Sequence, residues 1–136
     1  MIAEEMYQEM ILDHYRQPKN FGNLKNPSFT FKDSNPVCGD IIQIQVRVDQ
    51  RNSIKEIKFN GKGCAISQAA ASMLTEEVKG KPLEEIKNLK KEDVLKLLGI
   101  PLSGIRLKCA LLSLKVLKVG AYSYLGQKME EINDYA

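Results

Sequence analysis

Hydrophobic positions along this chain change their period twice. Over residues 2–15, Ala3, Met6, Tyr7, Met10, Ile11 and His14 share one broad helical face. Gln17-Pro18 and Phe21-Gly22 end that segment. Period-two alternation follows in Ser28-Phe29-Thr30-Phe31, then across residues 42–48 with Ile42, Ile44, Val46 and Val48 on one side. A polar turn, residues 49–53, leads to a third strand over 54–59 with Ile57 and Phe59 on one face. Strands this closely spaced predict an antiparallel meander with one covered face. From Cys64 the period becomes helical. Residues 65–79 are rich in Ala, Met, Leu and Glu and stop at Gly80. Pro82 suits the first turn of a short helix over 83–89, and another over 91–98 is stopped by Gly99 and Pro101. Residues 107–119 are apolar nearly all round except for Lys108, Lys115 and Lys118, which predicts a helix deep in the core. Strands first and helices after predict an α+β fold: a small three-stranded antiparallel sheet with several helices packed on one face.

A chain of 136 residues fits one domain, 1–136, with its core over about 5–119 and no element assigned to the polar tail 120–136. Twenty basic against seventeen acidic side chains leave a net charge of only +3, evenly spread, which argues against nucleic acid as a partner. No apolar run is long enough to span a bilayer, so no membrane is expected. Glu4 and Glu5 stand where a signal peptide would carry base, which predicts a cytoplasmic protein. Thiols stay reduced there, and three cysteines do not suit a disulfide framework. They are therefore free, buried, catalytic or metal-bound.

Their settings differ. Cys38 lies in the polar turn Asn35-Pro36-Val37-Cys38-Gly39-Asp40. Cys64 follows Gly61-Lys62-Gly63 at a predicted helix start. Cys109 opens the last apolar helix. A glycine between Cys38 and Asp40 lets both side chains face one point, and a helix start favours the thiolate of Cys64. The two turns bracket a pair of strands, and an even number of strands brings the chain back to the edge it left. Cys109 joins them if the last helix begins at that edge. Three thiolates and a carboxylate suit tetrahedral zinc. The same set suits a two-iron, two-sulfur cluster, with Asp40 as a hard and weaker ligand to a soft centre. Lys62, Arg106 and Lys108 flank the set in sequence and offset its negative charge. The competing reading is three inert core thiols in a small interaction module, since free cysteine is often buried and no tight C-x2-C pair is present.

Four blocks carry a resemblance. Asn35-Pro36-Val37-Cys38-Gly39-Asp40, Gly61-Lys62-Gly63-Cys64-Ala65-Ile66-Ser67 and Arg106-Leu107-Lys108-Cys109-Ala110 resemble the three ligand motifs of the IscU/NifU/SufU-type iron–sulfur scaffold family. Ile11-Leu12-Asp13-His14-Tyr15-Arg16-Gln17-Pro18-Lys19-Asn20-Phe21-Gly22 is similar to its first-helix signature. The resemblance implies a carrier rather than a turnover enzyme. Such a protein takes sulfur from a cysteine desulfurase, with Cys109 or Cys38 as acceptor, and assembles a [2Fe-2S] cluster on Cys38, Asp40, Cys64 and Cys109. It then passes the cluster to apo iron–sulfur acceptor proteins, as a monomer or a cluster-linked dimer, and binds Zn2+ at the same residues in its cluster-free form. Two departures stand out. Lys108 replaces the histidine that IscU members carry, and with Arg106 it resembles the SufU branch, a zinc-dependent sulfurtransferase relay. The 44 residues between Cys64 and Cys109 match the shorter IscU spacing. The stretch Ile100-Pro101-Leu102-Ser103-Gly104-Ile105 also lacks the Leu-Pro-Pro-Val-Lys loop that a dedicated Hsp70 chaperone recognises in IscU members. The lone His14, in the non-ligand signature, reads as structural.

Overall fold

The computed structural model describes residues 2–126, with side chains from residue 5 onward. The elements are α1 (Ile2–Arg16), β1 (Phe29–Asn35), β2 (Asp40–Val48), β3 (Ile54–Lys62), α2 (Ala65–Val78), α3 (Leu83–Lys87), α4 (Lys91–Leu98) and α5 (Ile105–Tyr124). The sheet is antiparallel in the order β1-β2-β3, as the alternation predicts. Ile42, Ile44 and Val46 of β2, with Ile57 and Phe59 of β3, point to one face and are buried there against α2 and α5. The opposite face carries Thr30, Lys32, Gln43, Gln45 and Lys58. Among the described residues, no helix is long and apolar enough to cross a membrane.

Three elements run longer than their hydrophobic pattern. β1 continues through Lys32-Asp33-Ser34-Asn35, and Asn35 pairs with Asp40 at the start of β2. The ladder, not apolar alternation, holds this end, and it confines Cys38 to a tight turn. β3 runs on to Lys62, opposite Ile41. α5 begins at Ile105 and passes through Gly120 to Tyr124. Gly120 marks a close approach: a Cβ there would lie 2.7 Å from the Phe29 ring. Of the tail 120–136, residues 127–136 lie outside the described residues. Lys118, a polar exception in the apolar helix, is buried, and its Nζ donates to Leu89 O at 2.7 Å.

α1 is held by polar contacts. Ile11 is buried, whereas Met6, Met10, Leu12 and Tyr15 are exposed. His14 Nδ1 lies 2.6 Å from Ser72 Oγ, which also accepts the Lys19 N–H at 2.7 Å. Asn20 donates to Thr75 Oγ1 and Glu76 Oε1, while its carbonyl accepts the Phe59 N–H and Gly22 N–H returns to Phe59 O. Residues 14–22 of the signature block 11–22 thus form a clasp between α1, α2 and β3.

Burial and the nearby Lys19 charge lower the pKa of His14 from its ordinary value of 6.5, outweighing Asp13 and Glu76. The unfolded chain therefore takes up a proton more readily than the folded one. The stability from neutral His14 is present above pH 6.5 and is lost as pH falls from there through the lowered folded-state value. The urea midpoint is expected to fall on acidification through that window. His14→Gln should flatten this part of the profile; an unchanged profile would remove His14 from the clasp.

Candidate metal centre

The β1–β2 turn and the β3–α2 junction lie side by side because β2 and β3 return the chain to one edge. Gly39 N–H donates to Asn35 O at 2.7 Å and Val37 N–H to Asn35 Oδ1 at 3.1 Å, which shapes the turn around Cys38. Asp40, the first residue of β2, is 1% exposed and sits at the centre of the group. Its Oδ1 accepts the Cys64 N–H at 2.8 Å, and its Oδ2 accepts the Cys38 thiol at 3.1 Å and the Cys64 thiol at 3.5 Å. Cys64 is the N-cap residue of α2 and makes no side-chain cap of its own. A carboxylate from another strand therefore satisfies this helix start, where negative charge is favoured. Cys109, in the second turn of α5, brings its Sγ to 3.0 Å from Cys38 Sγ; all three thiols are free.

The donor atoms of Cys38, Asp40 and Cys109 all lie within 4.8 Å of one another. Cys64 is exposed and stands outside this mutual set, joined to it through Asp40. Two soft thiols and a carboxylate at this separation, with a third thiol on the same carboxylate, fit zinc or a small iron–sulfur cluster. Burial raises the pKa of Asp40, but hydrogen bonds from Cys38, Cys109 and Cys64 outweigh it and leave the carboxyl below its ordinary value. Burial, with Cys38 and Asp40 adjoining, pushes the Cys109 thiol up from its ordinary value.

The glycines before Cys64 have a steric purpose. Gly63 has φ +154°, and a Cβ there would overlap the Asp40 carboxylate. Gly63→Ala is expected to displace Asp40 and weaken zinc binding about tenfold or more, since strained backbone of this kind costs ~1–3 kcal/mol. Competition titration with a chromophoric chelator measures it, and wild-type affinity would mean that Asp40 is not held by this contact.

An open groove of about 530 Å³ leads to the three sulfurs, walled by Ile11 and Leu12 of α1, Ile66 of α2, and Ile100 and Ile105. The sequence pattern does not single out this apolar wall, because its residues come from four separate segments. Arg106 lines the same groove, whereas Lys108 lines a different cavity beside the Cys38 turn. Lys62 is exposed at the end of β3, and His14 is held on Ser72.

The model of the NifU-like N-terminal domain matches residues 6–131. The zinc-dependent sulfurtransferase SufU of Bacillus subtilis is 35% identical over 134 residues, covering 86% of this chain and 90% of the relative. The iron–sulfur cluster assembly scaffold protein IscU of Haemophilus influenzae is also 35% identical, over 126 residues, covering 87% and 94%. Among solved structures, a putative SUF-system scaffold from Fervidobacterium islandicum superposes with a TM-score of 0.72 at 26% identity, covering 88% of this chain and 98% of that one. The N-terminal part of a NifU-like protein from Brucella abortus gives 0.72 at 16% identity, a likeness of fold, covering 94% and 100%.

Proposed function

Because the chain belongs to the NifU-like N-terminal domain family, we propose that it is a scaffold on which a [2Fe-2S] cluster is assembled and from which it is transferred. Cys38, Asp40, Cys64 and Cys109 hold the cargo. A cysteine desulfurase supplies the sulfur, apo iron–sulfur proteins receive the cluster, and the exchange takes place in the cytoplasm. The observation that carries this reading is the convergence of Cys38, Asp40 and Cys109 within 4.8 Å, with the Cys64 amide and thiol on the same carboxylate.

Sulfur delivery is a thiol–persulfide exchange. The thiolate of Cys38 or Cys109 attacks the outer sulfur of the donor's persulfide. A new S–S bond forms as the donor's breaks, the donor's cysteine thiolate leaves with the electron pair, and nothing is oxidised or reduced overall. Cys38 is half-buried and Cys109 buried, and both face the groove through which a donor would reach them. Arg106, on the wall of that groove, puts a positive charge on the donor's way in.

The second reading is a zinc-dependent sulfur relay of SufU type. It is favoured by Lys108, a residue that does not ligate metal when protonated, and by the exposure of Cys64. Zinc on the same four residues would keep their sulfurs deprotonated at neutral pH. A metal and acid-labile sulfide count on anaerobically isolated protein separates the two. Iron and sulfide in equal amounts mark the scaffold. Zinc without sulfide, together with stimulated desulfurase turnover, marks the relay, and Cys38→Ser and Cys109→Ser then locate the acceptor. Protein with neither metal, and no charge-transfer absorption after reconstitution with iron and sulfide, would overturn both.

A further inference from the structure

Strand β1 is the open edge of the sheet. The other edge, β3, is covered: Phe59 exchanges hydrogen bonds with Asn20 and Gly22, and Ile54 with Gly80 and Lys81. Among the described residues, no segment pairs with the outer side of β1. α5 packs over β1 and β2, and its first half shares a cavity with the end of β1. Its residues Lys108, Leu111, Leu112 and Lys115, with Asn35 and Val37 of the Cys38 turn, enclose a cavity of about 200 Å³. Leu111 and Leu112 are buried and make its floor apolar. Lys115 lies 3.4 Å from Asp33, while Lys108 is exposed and forms no ion pair among the described residues.

We propose that β1 accepts an extended, acidic segment of a partner protein as a fourth strand, seated between the strand edge and α5. An open strand edge offers backbone donors and acceptors in a row, which selects an extended chain. A helix alongside adds side-chain selectivity, and here that helix presents two lysines around an apolar floor. Lys108 and Lys115 are seven residues apart, about 10.5 Å along the helix. Same-face positions i and i+4 of a strand are about 13 Å apart, a difference that flexible lysine stems absorb. The segment sought therefore reads acid-x-apolar-x-acid. A second copy of this chain is disfavoured, because antiparallel pairing of two β1 edges would bring Lys108 and Lys115 of both copies to one face and Lys32 of both copies to the other. The edge runs directly into Pro36-Val37-Cys38, so a partner docked on it sits beside Cys38 whichever cargo the site carries.

The test is selection of a random decapeptide library on the full chain. It is expected to enrich acid-x-apolar-x-acid sequences. The most enriched peptide, made synthetically, should shift the amide resonances of residues 29–35 and 108–115, slow amide exchange in β1, and bind about tenfold more weakly to Lys108→Glu/Lys115→Glu. The single variant Lys108→Glu, at an exposed position, should show the same direction and guards against a folding defect in the double one. No enrichment, enriched peptides without acid, a footprint in the groove over the cysteines, or unchanged affinity in both variants would overturn the proposal. So would concentration-dependent dimerisation with its footprint on β1, which would give the edge to a second copy.

Discussion

Chelation is expected to lower the melting temperature of the metal-loaded protein by about 12–16 °C. A ligand present at about a thousand times its dissociation constant stabilises the folded state by ~4.1 kcal/mol. Each kcal/mol moves the midpoint by about 4–8 °C in domains of about 60–100 residues and about 2–4 °C in those of about 150–250. A 136-residue chain falls near their common limit, at roughly 3–4 °C per kcal/mol. The loss should be local before it is global. Asp40 is buried and ties the Cys38 turn, the start of α2 and, through Cys38, the first turns of α5 into one unit. Without a cation these contacts depend on protonated thiols donating to one carboxylate, and each thiol that ionises adds repulsion to it. Amide exchange should therefore speed up first in residues 36–40 and 105–109. Calorimetry with and without chelator, and again after metal is returned, measures the shift. A melting curve that chelation leaves unmoved would make these sulfurs ordinary core thiols.

The strands that alternate most strictly were the most legible. β2 and β3 show period-two burial along most of their length, and the paired residues follow from it. The convergence of Cys38 and Cys64 was legible for the same reason, because two strands return the chain to its starting edge. The second half of β1 was not, since Lys32-Asp33-Ser34-Asn35 is held by backbone pairing that composition does not report. The end of α5 was hidden because the apolar pattern stops at Val119, whereas in the fold Gly120 is the position where Phe29 meets the helix and lets it run on. Side-chain direction at the centre was out of reach as well. Lys108 precedes Cys109 in sequence but turns to the β1 side, while Arg106, one turn back on the helix, lines the groove with the sulfurs. That Asp40 accepts the Cys64 N–H was equally invisible, although Gly63 carried a trace of it: only a residue without a Cβ lets the carboxylate come so close. The motif resemblance, rather than spacing, singled out Cys38, Asp40, Cys64 and Cys109 together, since spacing alone left inert core thiols as a competing reading.

In Asp40→Ala, loading and release of the cluster should part company. A carboxylate is a hard ligand on a soft iron–sulfur centre and the most readily displaced of the four. With it gone, an external thiol can complete an all-sulfur set, and transfer to an apo acceptor should slow by about tenfold, roughly 1.4 kcal/mol in barrier height. The metal-free protein should respond in the opposite sense. Removing Asp40 leaves the Cys64 N–H without its acceptor and the Cys38 thiol without its partner; both contacts are part-buried, so the loss falls at the low end of the ~1–3 kcal/mol that an unmet buried donor costs. The variant is therefore expected to be less stable without cargo and to hold its cargo longer. A structural defect alone would lower stability, loading and retention together, so the opposed signs are specific to Asp40 as a labile ligand. Stopped-flow circular dichroism of cluster transfer, beside urea unfolding of the metal-free form, reads both quantities. Transfer at the wild-type rate, with stability lowered as expected, would confine Asp40 to capping α2 and leave the lability of the cluster to another residue.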